Sequence, residues 1–382
     1  MKNKKIALDK LIGQKLFKYI KKPFSFVYWL AESLTVFKRN KKQSYVSDIP
    51  EVNKINKIMK YYYKREEFIL HSDDKIKSFE FKSKDGTNLV GLKYITDEKS
   101  KKWLISSHWF AGHKYWALAH VKAFIELGYN ILVFDFRNHG QSDKTDVISM
   151  GLFESEDLIA AIKYLNETED VETLGLFGMS MGAYITNYVT TTQKELLDKS
   201  NVKFAISDST YGSMESLLYK SWRAWFKLFL NKRLARKIVD KVLHSQQSAT
   251  NQDQKQLDLF AKYEQDKIIP ASAPTLFIHG ITDVITPHTD SLRLYINRIN
   301  QCKDDEILIY NSCNHCFALK DHYYQTVYRT LMFENKIIAD DKATKKALKN
   351  MNITKEIINN NFNELKDAPT FHFCVGSKRE VW

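Results

Sequence analysis

Cysteine is scarce. Four residues in 382, at positions 302, 313, 316 and 374, cannot staple a fold, so a disulfide scaffold is excluded and a reducing compartment is the simpler expectation. Six prolines and 13 glycines exclude collagen-like and proline-rich low-complexity chains. Long apolar runs are also missing. The aromatic-rich stretch 24–37 is interrupted by Glu32 and is about half of what a bilayer span needs, and no clear cleavage site of a signal peptide follows it. What is present is globular: 44% hydrophobic and 27% charged residues, enough to bury a sizeable core.

The net charge of +13 is concentrated in two places. Residues 1–42 hold twelve Lys/Arg against Asp9 and Glu32, and residues 217–243 hold eight against Asp240. The remainder is mildly acidic, which argues against a nucleic-acid surface; no RNA-binding signature accompanies the aromatics. In the first segment, Leu8, Ile12, Leu16 and Ile20 repeat at helical spacing between lysines until Pro23. Two readings stand: a basic amphipathic element on an anionic membrane face, or a helical extension packed on the body.

From residue 76 the pattern alternates. Stretches 76–82 and 88–95 read as strands joined by the turn Lys84-Asp85-Gly86-Thr87. Short apolar runs follow at 103–107, 131–136, 174–177, 204–207, 275–278 and 307–310, with helical patterns between most of them, such as 115–127, 153–165, 183–197 and 291–299. These predict an α/β fold: a mostly parallel, eight-stranded, doubly wound sheet, whose chemistry belongs at the carboxyl ends of the strands.

The fifth strand ends in Gly178-Met179-Ser180-Met181-Gly182 before a helix. This is the G-x-S-x-G elbow in its strand–turn–helix setting, with Ser180 at a helix N-terminus. A serine nucleophile needs a base and an orienting acid. The seventh strand runs into His279-Gly280-Ile281-Thr282-Asp283, and the eighth into Asn311-Ser312-Cys313-Asn314-His315. In this order of Ser180, Asp283 and His315, residues 76–332 resemble an α/β-hydrolase of the bacterial serine esterase, lipase and aminopeptidase-like group. Asp208, at the end of the sixth strand, is a second but poorer candidate for the acid. The stretch Asp135-Phe136-Arg137-Asn138-His139-Gly140-Gln141-Ser142 resembles the family's D-x-R-x-x-G-x-S loop, and Phe153-Glu154-Ser155-Glu156-Asp157 resembles its next helix start; both imply bracing and no catalysis.

The resemblance implies an oxyanion hole from the backbone of Met181 and of Phe110 in His108-Trp109-Phe110-Ala111-Gly112. Trp109 stands where the family usually has glycine, so either it is accommodated as a pocket wall or the loop is displaced. The 65-residue gap before the seventh strand is too long for a simple connection and implies a helical lid insertion. Its Trp222, Trp225 and Phe226 would contact an acyl chain or membrane as a lid, or pack on the body as a cap.

Cys313 and Cys316 bracket His315, but a metal or redox site would need ligands or a context that are not evident. The expected divisions are a basic N-terminal extension (1–72), hydrolase core (73–210 and 268–335), lid insertion (211–267) and a C-terminal helical extension (336–382). The expected activity is serine hydrolysis of a carboxylic ester, with a lipid-like acyl ester as the candidate substrate and no metal or organic cofactor. Peptides, thioesters and a silent membrane-tethered binding role are the alternatives. The expected place is the cytoplasm, with peripheral contact at the inner membrane face.

Overall fold

The computed structural model describes residues 52–71, 73–145, 147–226, 232–253, 257–265, 273–359, 370–375 and 381. The basic segment 1–42 therefore lies outside the described residues. Among the described residues nine strands form one sheet: β1 (Ile76–Lys82), β2 (Asn88–Tyr94), β3 (Lys102–Ser107), β4 (Asn130–Phe134), β5 (Thr173–Met179), β6 (Val202–Asp208), β7 (Thr275–Gly280), β8 (Glu306–Tyr310) and β9 (Thr370–Cys374). Their order is β1-β2-β4-β3-β5-β6-β7-β8-β9. The hairpin β1–β2 is antiparallel and meets β4 antiparallel, whereas β3 to β8 run parallel.

Eight strands were expected; the ninth comes from the C-terminal extension, read as helical and Asn/Lys-rich. Phe371 to Cys374 pair antiparallel with β8, Phe373 opposite Ile307 and Phe371 opposite Ile309. Five residues carry too short an alternation to stand out, and the pairing that makes them a strand lies more than 60 residues away.

The helices are α1 (Val52–Ile58), α2 (Lys114–His120), α3 (Lys122–Glu126), α4 (Leu152–Thr168), α5 (Met181–Thr192), α6 (Lys194–Lys199), α7 (Met214–Phe226), α8 (Lys232–Thr250), α9 (Leu259–Gln265), α10 (His288–Ile299), α11 (Ala318–Asp321), α12 (Tyr323–Ile338), α13 (Asp341–Asn350) and α14 (Lys355–Asn359). Two helices expected to be continuous are broken, at Val121 (φ −104°, ψ 20°) and at Gln193 (φ −119°, ψ 37°). Apolar periodicity carries across such a one-residue break, so the pattern conceals it. Within the insertion the described residues form α7 and α8.

Alternate residues of the strands feed two apolar layers. On one face Leu104, Val133, Phe204 and Leu308 pack with α2, α3, α12 and α13, joined by Ile55, Met59 and Tyr63 from the chain before the sheet. On the other, Ile105, Leu132, Leu176 and Phe277 pack with α4, α5 and the insertion residues Leu217, Val239, Val242 and Phe260. No helix among the described residues is long and apolar enough to cross a membrane.

One buried carboxyl in this core makes stability depend on pH. Glu334, on α12, accepts a 2.6 Å hydrogen bond from Tyr129 Oη at Oε1, and its Oε2 has no partner among the described residues. Burial pushes its pKa up to about 7 from 4.5. Between those values the folded protein holds a proton that the unfolded chain has released, so this contribution is complete below pH 4.5 and lost as pH rises through 7. Glu334→Gln removes the titration while keeping the shape. Urea unfolding at pH 5 and pH 7.5 is expected to show a wild-type stability loss exceeding the variant's by on the order of 1–3 kcal/mol; equal losses would refute the assignment.

Candidate active site

The turn from β5 into α5 is very tight. A Cβ on Gly178 would lie 2.3 Å from the carbonyl oxygen of Gly182, and one on Gly182 would lie 2.4 Å from that of Ser107. Both glycines are therefore steric requirements. Between them Ser180 is held at φ 54°, ψ −113°, a backbone state that a non-glycine residue keeps only where its surroundings over-determine it. Its N–H donates to the carbonyl oxygen of Asp208 on the adjacent strand at 2.8 Å.

The loops after β7 and β8 meet over this turn. Ser180 Oγ lies 2.8 Å from His315 Nε2, and His315 Nδ1 lies 2.7 Å from Asp283 Oδ2. Asp283 is buried. Its Oδ1 accepts the N–H groups of Ile285 (2.7 Å) and Thr286 (3.0 Å), and its Oδ2 also lies 2.7 Å from Thr286 Oγ1 and 3.2 Å from His279 Nε2. Burial alone would raise the pKa of this carboxyl. Electrostatic attraction and hydrogen bonding from the facing His315 ring, and then from His279, hold it instead well below the usual carboxylate range. A fixed carboxylate behind an imidazole that reaches a hydroxyl is the arrangement that makes a serine nucleophilic.

Asp208, the other strand-end carboxyl, is placed differently. Its Oδ1 accepts a hydrogen bond from Ser209 Oγ at 2.8 Å, and burial pushes its pKa up to about 6. Cys313 and Cys316 are buried, and burial pushes both thiols upward, away from the thiolate that would bind a metal. Among the described residues a cation-type donor set occurs at Glu306, His372 and Cys374, at the opposite end of β8. There Glu306 is already bonded to Lys336 Nζ and His372 Nε2, each at 2.6 Å.

The loop after β3 explains the tryptophan in place of glycine. His108 Nδ1 donates to the Trp109 carbonyl (2.7 Å), and its Nε2 accepts from Phe136 N–H (3.1 Å), so the tautomer is determined. Burial first, and then His139, lowers the His108 pKa to about 3. The same Trp109 carbonyl accepts Gly112 N–H at 2.8 Å, and Ala111 takes the left-handed turn at φ 62°. The indole of Trp109, half-buried, packs against Trp116 and His120 with ring centres 5.4 and 5.5 Å away. Trp109 is thus accommodated. Met181 opens α5 as its first residue, where backbone N–H groups have no partner within the helix.

Behind these loops stand the D-x-R-x-x-G-x-S residues. Asp135 accepts Lys114 N–H (2.8 Å) and Gln141 N–H (3.0 Å), and the buried guanidinium of Arg137 spans Asp157 (2.6 Å) and Asp85 (2.7 Å). Glu154 accepts the N–H groups of Ser149 and Gly151. The insertion reaches the acid loop through Ser221 Oγ, which donates to the Ile285 carbonyl at 2.8 Å. The side chains of Trp222, Trp225 and Phe226, next along α7, lie outside the described residues. Sequence reasoning missed His279, Thr286 and Ser209. The first two sit four residues before and three after Asp283, a spacing at which side chains close back on an acid loop.

This sheet, with a serine elbow, a buried carboxylate and a histidine after β5, β7 and β8, defines an α/β-hydrolase. The family model described as serine hydrolase (FSH1) matches residues 135–327, just over half of the chain, and the chain belongs to that family. Among curated relatives, YqkD of Bacillus subtilis (strain 168), an uncharacterized protein, is 28% identical over 180 residues, 47% of this chain and 54% of its own. The match thus spans about half of that relative's length. YfhR of Salmonella typhi, also uncharacterized, is 26% identical over 250 residues, 62% of this chain and 74% of its own. Among solved structures, the Pyrococcus furiosus esterase Pf2001 superposes with a TM-score of 0.52 at 20% identity over 69% of this chain and 93% of its own. A second crystal form also gives 0.52. At that identity the likeness concerns the fold.

Proposed function

We propose that this hydrolase cleaves carboxylic esters through Ser180, His315 and Asp283. The observation that carries the reading is the continuous hydrogen-bond chain from Ser180 Oγ through His315 to Asp283, at 2.8 and 2.7 Å. His315 Nε2 takes the hydroxyl proton as Ser180 attacks the carbonyl. Asp283 keeps the Nδ1–H tautomer and stabilises the imidazolium. The N–H groups of Met181 and Phe110 receive the oxyanion, each such donor lowering the barrier by about 3–4 kcal/mol. The protonated His315 then delivers its proton to the leaving alcohol, and water activated by the same imidazole releases the acid.

A lipid-like acyl ester is the preferred substrate class. It is supported by the basic, aromatic insertion that reaches the acid loop at Ser221 and by the aromatic group around Trp109. In this reading α7 and α8 act as a lid. Residues 1–42 hold the protein at an anionic membrane face on the cytoplasmic side.

One experiment with several arms tests this. Graded-length acyl esters, thioesters and peptides are offered to the full chain and to a chain lacking residues 1–42, with and without anionic vesicles. Ester turnover rising with chain length, and raised by vesicles in the full chain alone, is the expected result. Preferential peptide or thioester turnover would replace the ester reading. Vesicle stimulation that survives the truncation would move membrane contact to the lid.

A further inference from the structure

Ser180, His315 and Asp283 stand on three loops, and the dipeptide at the end of β6, Asp208-Ser209, is bonded to all three. The Asp208 carbonyl accepts Ser180 N–H at 2.8 Å. Ser209 N–H donates to the Ile278 carbonyl at 2.8 Å, anchoring the strand that leads into the acid loop. Thr286 Oγ1 stands 3.1 Å from the Ser209 carbonyl and 2.7 Å from Asp283 Oδ2, so its single proton serves one of these oxygens at a time or is shared. Ser209 Oγ donates to Asp208 Oδ1 at 2.8 Å and accepts the N–H of Cys316, the residue after His315, at 3.0 Å.

The backbone at this point is unusual on both sides of that last bond. Ser209 lies in the left-handed region at φ 58°, and so does Cys316, also at φ 58°. Neither is a glycine, and both are buried. Such conformations persist where surrounding bonds demand them. Here they aim the Cys316 amide and the Ser209 hydroxyl at each other. The hydroxyl uses its donor on Asp208 and one acceptor site on the histidine loop.

We propose that Ser209 is a positioning residue, whose hydroxyl sets the height of the His315 loop against the nucleophile elbow. This rests on the reading of Ser180 and His315 given above. Its action is through the loop backbone, so its loss shifts the imidazole relative to Ser180 Oγ without touching substrate. A misplacement of that kind costs about 10- to 100-fold in turnover.

Ser209→Gly separates the hydroxyl from the backbone, because glycine takes φ 58° without strain. For a short-chain ester, the expected result is a kcat lowered about 10- to 100-fold at a KM within about twofold, with the rate of fluorophosphonate labelling lowered in parallel and the melting temperature held. Ser209→Ala should show the same loss of kcat together with a lower melting temperature, since alanine keeps the wild-type strain at φ 58° but loses the hydroxyl's bonds to Asp208 and Cys316 that offset it. A kcat within twofold of wild type for Ser209→Gly overturns the proposal. So does a loss of kcat that follows a loss of folded protein. Ser180→Ala, assayed alongside, keeps the two readings apart. If it is active, the reading of Ser180 fails. If it is inactive while Ser209→Gly is unchanged, the positioning role alone fails.

Discussion

Ser180→Ala is expected to lower kcat by about 10⁶-fold and to abolish labelling by a fluorophosphonate probe, with the fold unchanged. In the proposed mechanism the Ser180 hydroxyl oxygen attacks, and the N–H groups of Met181 and Phe110 cannot replace it. What survives is rate enhancement from binding and from the oxyanion donors, about 10³ to 10⁴ over water. Alanine is tolerated structurally because Ser180 Oγ bonds to His315 while the tight turn is held by the backbone bond to Asp208. The positive φ remains as strained in the variant as in the wild type. Calorimetry on both proteins, together with labelling, is the check. Labelling that persists in Ser180→Ala would put the nucleophile elsewhere.

Asp283→Asn is expected to lower kcat by about 10⁴-fold, and the hydrogen bonds explain why so small a change does so much. Oδ1 accepts two backbone N–H groups, from Ile285 and Thr286. An asparagine must keep its carbonyl oxygen there, so its NH₂ group takes the Oδ2 position, facing His315 Nδ1. Two donors cannot face each other. His315 must then carry its proton on Nε2, toward Ser180, and can no longer accept the hydroxyl proton. Because the Asp283 pKa is held well below the usual range by His315 and His279, this carboxylate is ionised throughout neutral and mildly acidic pH. The acid limb of the wild-type pH–rate profile is therefore not its titration. Asp208→Asn is the control: its carboxyl bonds to Ser209 and not to His315. A severe loss in Asp208→Asn with little in Asp283→Asn would exchange the two roles.

The parts of the site legible in the sequence are those with a short-range signature. G-x-S-x-G follows an apolar run and precedes a helical one because the turn between them has no room for a Cβ at either glycine. The acid and histidine loops are legible because each directly follows a short, fully buried strand. Trp109 illustrates the limit. From the sequence it could be a wall or a disruption; the choice depends on Trp116, His120 and the His108 tautomer, and the latter is decided by an amide 28 residues away.

The sequence by itself determined the alternation of strands and helices, the sheet's parallel character and the order in which serine, acid and histidine are met. Hydrophobic periodicity and local sterics act over a few residues and leave their mark in the pattern. Tertiary structure alone decided that β9 completes the sheet, that α2 and α3 are separate, and that Asp208 and Ser209 join three loops. Those outcomes depend on pairings between residues tens to hundreds of positions apart. A hydrogen bond such as Cys316 N–H to Ser209 Oγ, across 107 residues, exists because the strands between them are already stacked, and nothing near either residue announces it.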